Sequence, residues 1–170
     1  MFRMIGALLL FCGTAAIGFG AAAGLRKRTN ALLSFLGGLT IMEVEMQFRL
    51  TPMPDLLDKL ATETGGAAGE FFALCRDSLF RLADAPLSQL WREALHSRGG
   101  MLAEEDRRVL EQLGAVLGCY DVDGQLSAIE EARKRLEECH RHAEARQVNL
   151  GKMYRVLGMA AGIMSVLLFL

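Results

Sequence analysis

The position of the apolar runs constrains this chain most: one lies near each end. Met4–Leu25 is 22 residues without a charge, and Val156–Leu170 is 15 more. Arg26, Lys27 and Arg28 follow the first run, and Lys152 and Arg155 precede the second. A helix crosses a bilayer core with about 20 predominantly apolar residues. The layout therefore predicts transmembrane helices over 1–25 and 156–170, with a polar helical domain over 26–155 between them. The second run is short for a span. Lys152 and Arg155 can snorkel and let Met153 and Tyr154 extend it; a partly inserted segment is the alternative. A cleaved signal peptide is the competing reading of the first run. Its uncharged length and the basic cluster that would follow cleavage both oppose that reading. If both runs span, the excess of positive charge at their inner edges places residues 26–155 in the cytoplasm.

Charge separates along the chain. All 20 acidic residues lie between Glu43 and Glu144, where only 12 Lys and Arg accompany them, a net of −8. The necks are basic and suit anionic headgroups of membrane lipids. An acidic head argues against nucleic acid, whose binding needs a basic surface. Cys12, Cys75, Cys119 and Cys139 form no CxxC pair, so neither a zinc site nor a disulfide framework is indicated.

Between the ends the chain reads as all-α. No sustained alternation of β-branched residues supports a strand. Thr29 or Asn30 can cap a helix whose stripe is Leu32, Phe35, Leu36, Leu39, Met42 and Met46. Gly37–Gly38 weakens it unless a close helix contact compensates. Thr51-Pro52-Met53-Pro54-Asp55 is the clearest break. Proline is tolerated in a first turn, so a helix with Leu56, Leu57 and Leu60 inward starts near Pro52 or Pro54 and stops at Gly65–Gly66. Helices follow over about 67–82 (Phe71, Phe72, Cys75, Leu79 and Leu82 inward), from Pro86 to Gly99–Gly100, and over about 103–117. After a turn at Asp121-Val122-Asp123-Gly124 a long helix runs on without a stop. Ile129, Ala132, Leu136, Cys139, Ala143, Leu150, Met153, Leu157 and Ala160 form a 3-4 seam along it. Antiparallel packing on the Thr29–Phe48 helix would bury that seam. About 46 residues at 1.5 Å each reach roughly 70 Å, so the second membrane leg would extend a stalk helix.

The chemical motifs are weak. Cys139-His140-x-His142 places three ligand types on one helix, but not on one face. Asp121-x-Asp123-Gly124 shares the start of a calcium loop, yet its twelfth position is Ala132, where a bidentate Glu is needed. Glu43 and Glu45 point about 200° apart on a helix and cannot act on one substrate. His96 has no evident nucleophile, and no GxSxG, P-loop or GxGxxG occurs. The reading is therefore no enzyme, with no catalytic, cofactor-binding or metal residue and no small-molecule substrate. Glu104, Glu105 and Asp106 read as a solvated helix start favoured by the helix dipole. Glu130/Lys134, Glu131/Arg135 and Glu137/Arg141 read as i, i+4 pairs on a wet face, with an acidic docking surface as the second reading. Ala16, Gly20 and Gly24, and also Gly158 and Gly162, are small residues four apart that permit close packing of membrane helices.

Taken in order, several segments resemble the stage III sporulation protein AB family over nearly the whole chain. They are Ile5-Gly6-Ala7, Gly18-Phe19, Met42-Glu43-Val44-Glu45, Thr51-Pro52-Met53-Pro54-Asp55-Leu56-Leu57, Leu90-Trp91, and Leu113-Gly114-x-x-Leu117-Gly118-x-x-Asp121-x-x-x-Gln125. The basic, glycine-containing C-terminal leg completes the match. Met53 and Phe48 depart mildly from the family's usual leucine and tyrosine. The resemblance implies an endospore former and a protein of the mother-cell (outer forespore) membrane, part of a secretion-like assembly joining mother cell and forespore. It also implies a head similar to the cytoplasmic domains of type II secretion platform proteins, which dock a hexameric ATPase. The implied partners are a secretion-type ATPase, stage III sporulation protein AA, and other membrane subunits. The expected contact zone is Glu43, Glu45, Thr51, Pro52 and Pro54, or else the acidic face of the long helix. The competing expectation is a structural subunit that binds its neighbours only through its membrane helices.

Overall fold

The structure, a computed structural model, describes the backbone of residues 2–83, 85–118 and 121–169. The side chains of 1–19, 21, 22, 83, 84, 98, 99, 119, 120, 151, 154, 155, 157–159, 161–163 and 165–170 lie outside that description, and with them Cys12, Cys119, Ala16, Gly158 and Gly162. Among the described residues the chain is all-helical, with no strand. Its helices are α1 (Phe2–Val44), α2 (Met53–Glu63), α3 (Gly66–Asp77), α4 (Leu87–Arg98), α5 (Glu104–Val116) and α6 (Val122–Phe169). A π-helical turn, Glu45–Arg49, closes α1, and 3-10 turns Leu79–Ala83 and Gly99–Met101 flank α4. Two compact units are formed, Asn30–Arg141 and the terminal segments Met1–Thr29 with His142–Leu170.

The core of the Asn30–Arg141 unit lies where the stripes meet. From α1 come Leu32, Phe35, Leu39 and Met42, from α2 Leu56, Leu57 and Leu60, and from α6 Ile129, Ala132 and Leu136, all buried. Each large side chain so buried contributes about 1.5–3 kcal/mol. The centre is aromatic. Phe71 meets Phe35 at 5.4 Å and Trp91 edge-on at 4.7 Å between ring centroids, and Phe72 joins them. Trp91 also donates from Nε1 to the Leu110 carbonyl at 2.8 Å, so its one polar atom is satisfied in the core and ties α4 to α5. Gly114 allows this: a Cβ there would run into the Trp91 ring. Gly38 plays the same part for Phe72, 2.5 Å from an added Cβ, whereas one at Gly37 would meet nothing within 4 Å.

Several boundaries fall where the breakers put them. Pro52 caps α2, Thr64 and Gly65 end it, and Gly66 takes a φ of 64° that suits glycine. Pro86 precedes α4, and Asp121 accepts from the Gly124 amide at 3.2 Å to cap α6. The structure corrects four expectations. Thr29 and Asn30 start no new helix: α1 is continuous, and Thr29 Oγ1 donates back to the Leu25 carbonyl at 3.1 Å. The expected 67–82 helix ends at Asp77, because Ser78 caps it and a 3-10 turn follows, leaving Leu82 exposed. Asp106 is not solvated but fully buried, accepting the Ala103 amide at 2.8 Å where Ala103 itself has no side-chain acceptor to offer. Glu137 pairs not with Arg141 but with Arg133, at 3.0 Å.

One described helical stretch, Ala23–Arg49, is long and apolar enough to cross a membrane, with mean hydropathy 1.2. Much of it supplies the core stripe of the Asn30–Arg141 unit. The apolar ends expected to span lie largely on side chains outside the description.

Candidate docking site at the corner between α1 and α2

The corner is built around a buried carboxylate. The π-helical turn carries Glu45 inward, where it is only 4% exposed. Lys59 on α2 donates from Nζ to its Oε1 at 2.8 Å, and Thr51 donates from Oγ1 to Oε2 at 2.9 Å. Arg49, one turn on, reaches Oε1 at 3.4 Å. The Lys59 ammonium holds the Glu45 carboxyl below the ordinary carboxylate range, against the opposing effect of burial, and Thr51 and Arg49 lower it further. The bonds close the corner: α1 ends, the chain reverses, and α2 is held beside the end it left.

The reversal needs an unusual backbone. Leu50 adopts φ 50°, ψ 39°, its amide donating to the Glu45 carbonyl. A left-handed leucine costs about 1–2 kcal/mol, and its side chain is 70% exposed, so burial does not offset that strain. Pro52 then sits at φ −58°, ψ 148°, with Pro54 in the first turn of α2; both are exposed.

Beside the turn lies a groove of about 240 Å³. Met46, Leu50, Met53 and Leu56 line one side, and Gly118, Val122 and Gln125 from the α5–α6 connection line the other. A second, polar groove is lined by Glu43, Gln47, Asp123, Leu126, Ser127 and Glu130 of α1, its π-helical turn and α6. Glu43 meets Arg133 while Leu50, further along, shares a groove with Val122, so the two segments run antiparallel within the Asn30–Arg141 unit.

The expected contact residues are thus brought to one corner, but they differ in availability. Glu45 and Thr51 bond each other, while Pro52 and Pro54 face solvent. Glu43 is half-buried and meets Arg133 Nε at 3.4 Å, an ion pair without a hydrogen bond. On α6 Glu130 pairs with Lys134 and Glu131 with Arg135, each at 2.7 Å. At Gly20 and Gly24 an added Cβ would meet nothing within 4 Å. Cys139 turns not to His140 or His142 but to Glu105 and Asp106, their ligand atoms lying within 4.8 Å of one another. His96 Nε2 lies 3.4 Å from Glu111.

Sequence reasoning missed Lys59 and Leu50. Lys59 lies 14 residues from Glu45, and no local spacing joins them. Leu50 before Thr51-Pro52 carries a faint signal, since a residue near a proline break leaves the helical region; its positive φ does not follow from that.

The site is thus part of an all-helical head with an apolar groove at the corner between α1 and α2. Comparison gives the particular family. The profile of stage III sporulation protein AB matches residues 3–170, and the chain belongs to that family of sporulation proteins. It is similar to stage III sporulation protein AB of Bacillus subtilis (strain 168), with 26% identity over 172 residues and full coverage of both chains. A solved structure of a stage III sporulation protein AB shares the fold, with a TM-score of 0.64 and 23% identity over 72% of this chain and 98% of that one.

Proposed function

We propose that this chain is a non-enzymatic, membrane-anchored adaptor of the secretion-like channel between mother cell and forespore. Its apolar ends, 1–25 and 156–170, anchor it in the mother-cell (outer forespore) membrane, and its acidic head lies in the cytoplasm and docks a secretion-type ATPase. The observation that carries the reading is family membership over the whole chain joined to a head of net charge −8 flanked by basic necks. The unbroken α6 supports a stalk joining the head to the second anchor. The corner built on Glu45 supports docking there, with Pro52 and Pro54 presented outward and Glu45 as the residue that shapes the turn.

The test is co-purification of full-length chain with stage III sporulation protein AA. Recovery that survives replacement of both apolar ends by a heterologous anchor supports head docking. Loss of recovery on that exchange favours the second reading, a structural subunit that binds its neighbours through its membrane helices. The open space at Gly20 and Gly24, on the small-residue face Ala16, Gly20, Gly24, favours that reading in part; Gly158 and Gly162 are the matching positions on the other leg.

A further inference from the structure

We infer that the apolar groove at the corner between α1 and α2 receives the apolar face of a cationic amphipathic helix presented by a partner protein. The inference rests on the docking reading and states the chemistry that the docked segment must have.

The groove is apolar on most of its wall and holds about 240 Å³. That is below the roughly 300–1,000 Å³ of small-molecule sites and suits a few side chains offered from outside. Two of its lining residues, Met46 and Met53, are flexible thioethers that adapt to irregular apolar partners. Of its lining residues Leu50 is 70% exposed and Val122 is also exposed, and Phe48, two residues before Leu50 in the chain, is 73% exposed. Apolar residues gathered around one groove mark an interaction surface rather than scattered exposure. Leu50 adds a separate argument. Its left-handed backbone turns a large apolar side chain toward water, and strain of that kind persists where the exposed geometry is used. The π-helical turn that delivers it is likewise a device frequent at functional sites.

Charge selects the occupant. Asp55 in the first turn of α2, and Asp121 and Asp123 where α6 begins, are exposed and form no ion pair among the described residues. Glu43, Asp123 and Glu130 line the second groove, on the same pair of helices. Arg49, the basic residue of the π-helical turn, is engaged by Glu45. A second copy of this chain would set acidic rim against acidic rim. Anionic lipid and nucleic acid would be repelled in the same way. A helix with large apolar residues on one face and Lys or Arg beside them satisfies floor and rim together.

The test uses the full chain in nanodiscs of zwitterionic lipid, with methionine methyl groups labelled for NMR and empty discs as blank. Three helical peptides of equal length are titrated: a leucine face with lysine flanks, the same face with glutamate flanks, and a serine face with lysine flanks. The first should shift the methyls of Met46 and Met53 before those of other methionines, and the other two should bind about tenfold more weakly or less. Asp55→Lys with Asp123→Lys, both exposed and checked for helicity by circular dichroism, should weaken the first peptide about tenfold. Equal binding of the glutamate peptide, shifts confined to other methionines, or full affinity of the double variant would overturn the assignment. Co-purification of the ATPase on the same preparations separates the two claims. ATPase recovered without any methyl shift overturns the groove and leaves head docking standing. Peptide bound as expected without ATPase recovery supports the groove and overturns the docking reading.

Discussion

Lys59 Nζ lies 2.8 Å from Glu45 Oε1, and this bond joins the π-helical turn that closes α1 to the middle of α2. The carboxylate is buried and takes a further bond from Thr51, so its charge is matched inside the protein. A buried carboxylate left without its cation is costly, which makes the pair a structural joint whose halves depend on each other.

Lys59→Met should lower the melting temperature, because Glu45 then stays buried with Thr51 and Arg49 alone. Adding Glu45→Gln to Lys59→Met should recover part of the loss, since the uncompensated charge disappears. Thermal melts followed by circular dichroism of the four proteins in the cycle read this directly; simple additivity of the two single changes would count against a coupled pair.

The same pair makes a pH signature. Glu45 has its pKa lowered by folding, so its contribution is complete above the ordinary glutamate value, about 4.3, and is lost as pH falls through the lowered folded value. Wild type should therefore melt higher than Glu45→Gln at pH 7, and the gap should close under acid. A gap of constant size between pH 7 and pH 3 would contradict this.

Neighbouring glycines of α1 should respond in opposite directions. Gly37→Ala meets open space on an exposed helix position and should stabilise by about 0.5–1 kcal/mol through helix propensity. Gly38→Ala drives a Cβ to 2.5 Å from the Phe72 ring and should destabilise by about 1–3 kcal/mol. Denaturant midpoints of the two single variants suffice to compare the signs.

Leu50→Gly should leave stability unchanged or raise it by up to about 1 kcal/mol, because relief of the left-handed strain outweighs the added freedom of the unfolded chain. Its exposed side chain gives up little burial. A clear fall in the unfolding midpoint would mean that Leu50 holds the fold rather than faces a partner.

Cys75 is buried, and burial pushes its thiol pKa up to about 12. The thiolate is the reactive form, so native protein at pH 8 should leave Cys75 unmodified by maleimide, while denatured protein should be labelled there. Peptide mass mapping assigns the label; rapid native labelling would show that α3 opens.

Much of the fold was legible from local rules. Pro52, Gly65–Gly66, Pro86 and Asp121 mark breaks that the structure keeps, because proline and glycine act on their own backbone whatever surrounds them. The stripe from Leu32 to Met42 and the seam from Ile129 to Leu136 also proved buried, since a helix fixes which residues share a face. Two of the errors concern which partner a charged side chain takes. Arg133 could pair up or down its own helix, and it pairs with Glu137 while also meeting Glu43 on α1. Asp106 looked like one acid among three, yet the turn before α5 gives its carboxylate a backbone donor.

The sequence by itself determined an all-helical chain, the turns that divide it, the faces that must be covered and the separation of acidic head from basic necks. These follow from periodicity, backbone preference and charge, which are properties of single segments. Only the tertiary structure decided that Glu45 is a buried joint rather than an open contact, that Gly38 is filled by Phe72 while Gly37 is not, and that Leu50 faces solvent in a left-handed turn. Each of these depends on what a distant helix places within a few ångströms, and no spacing along the chain contains that.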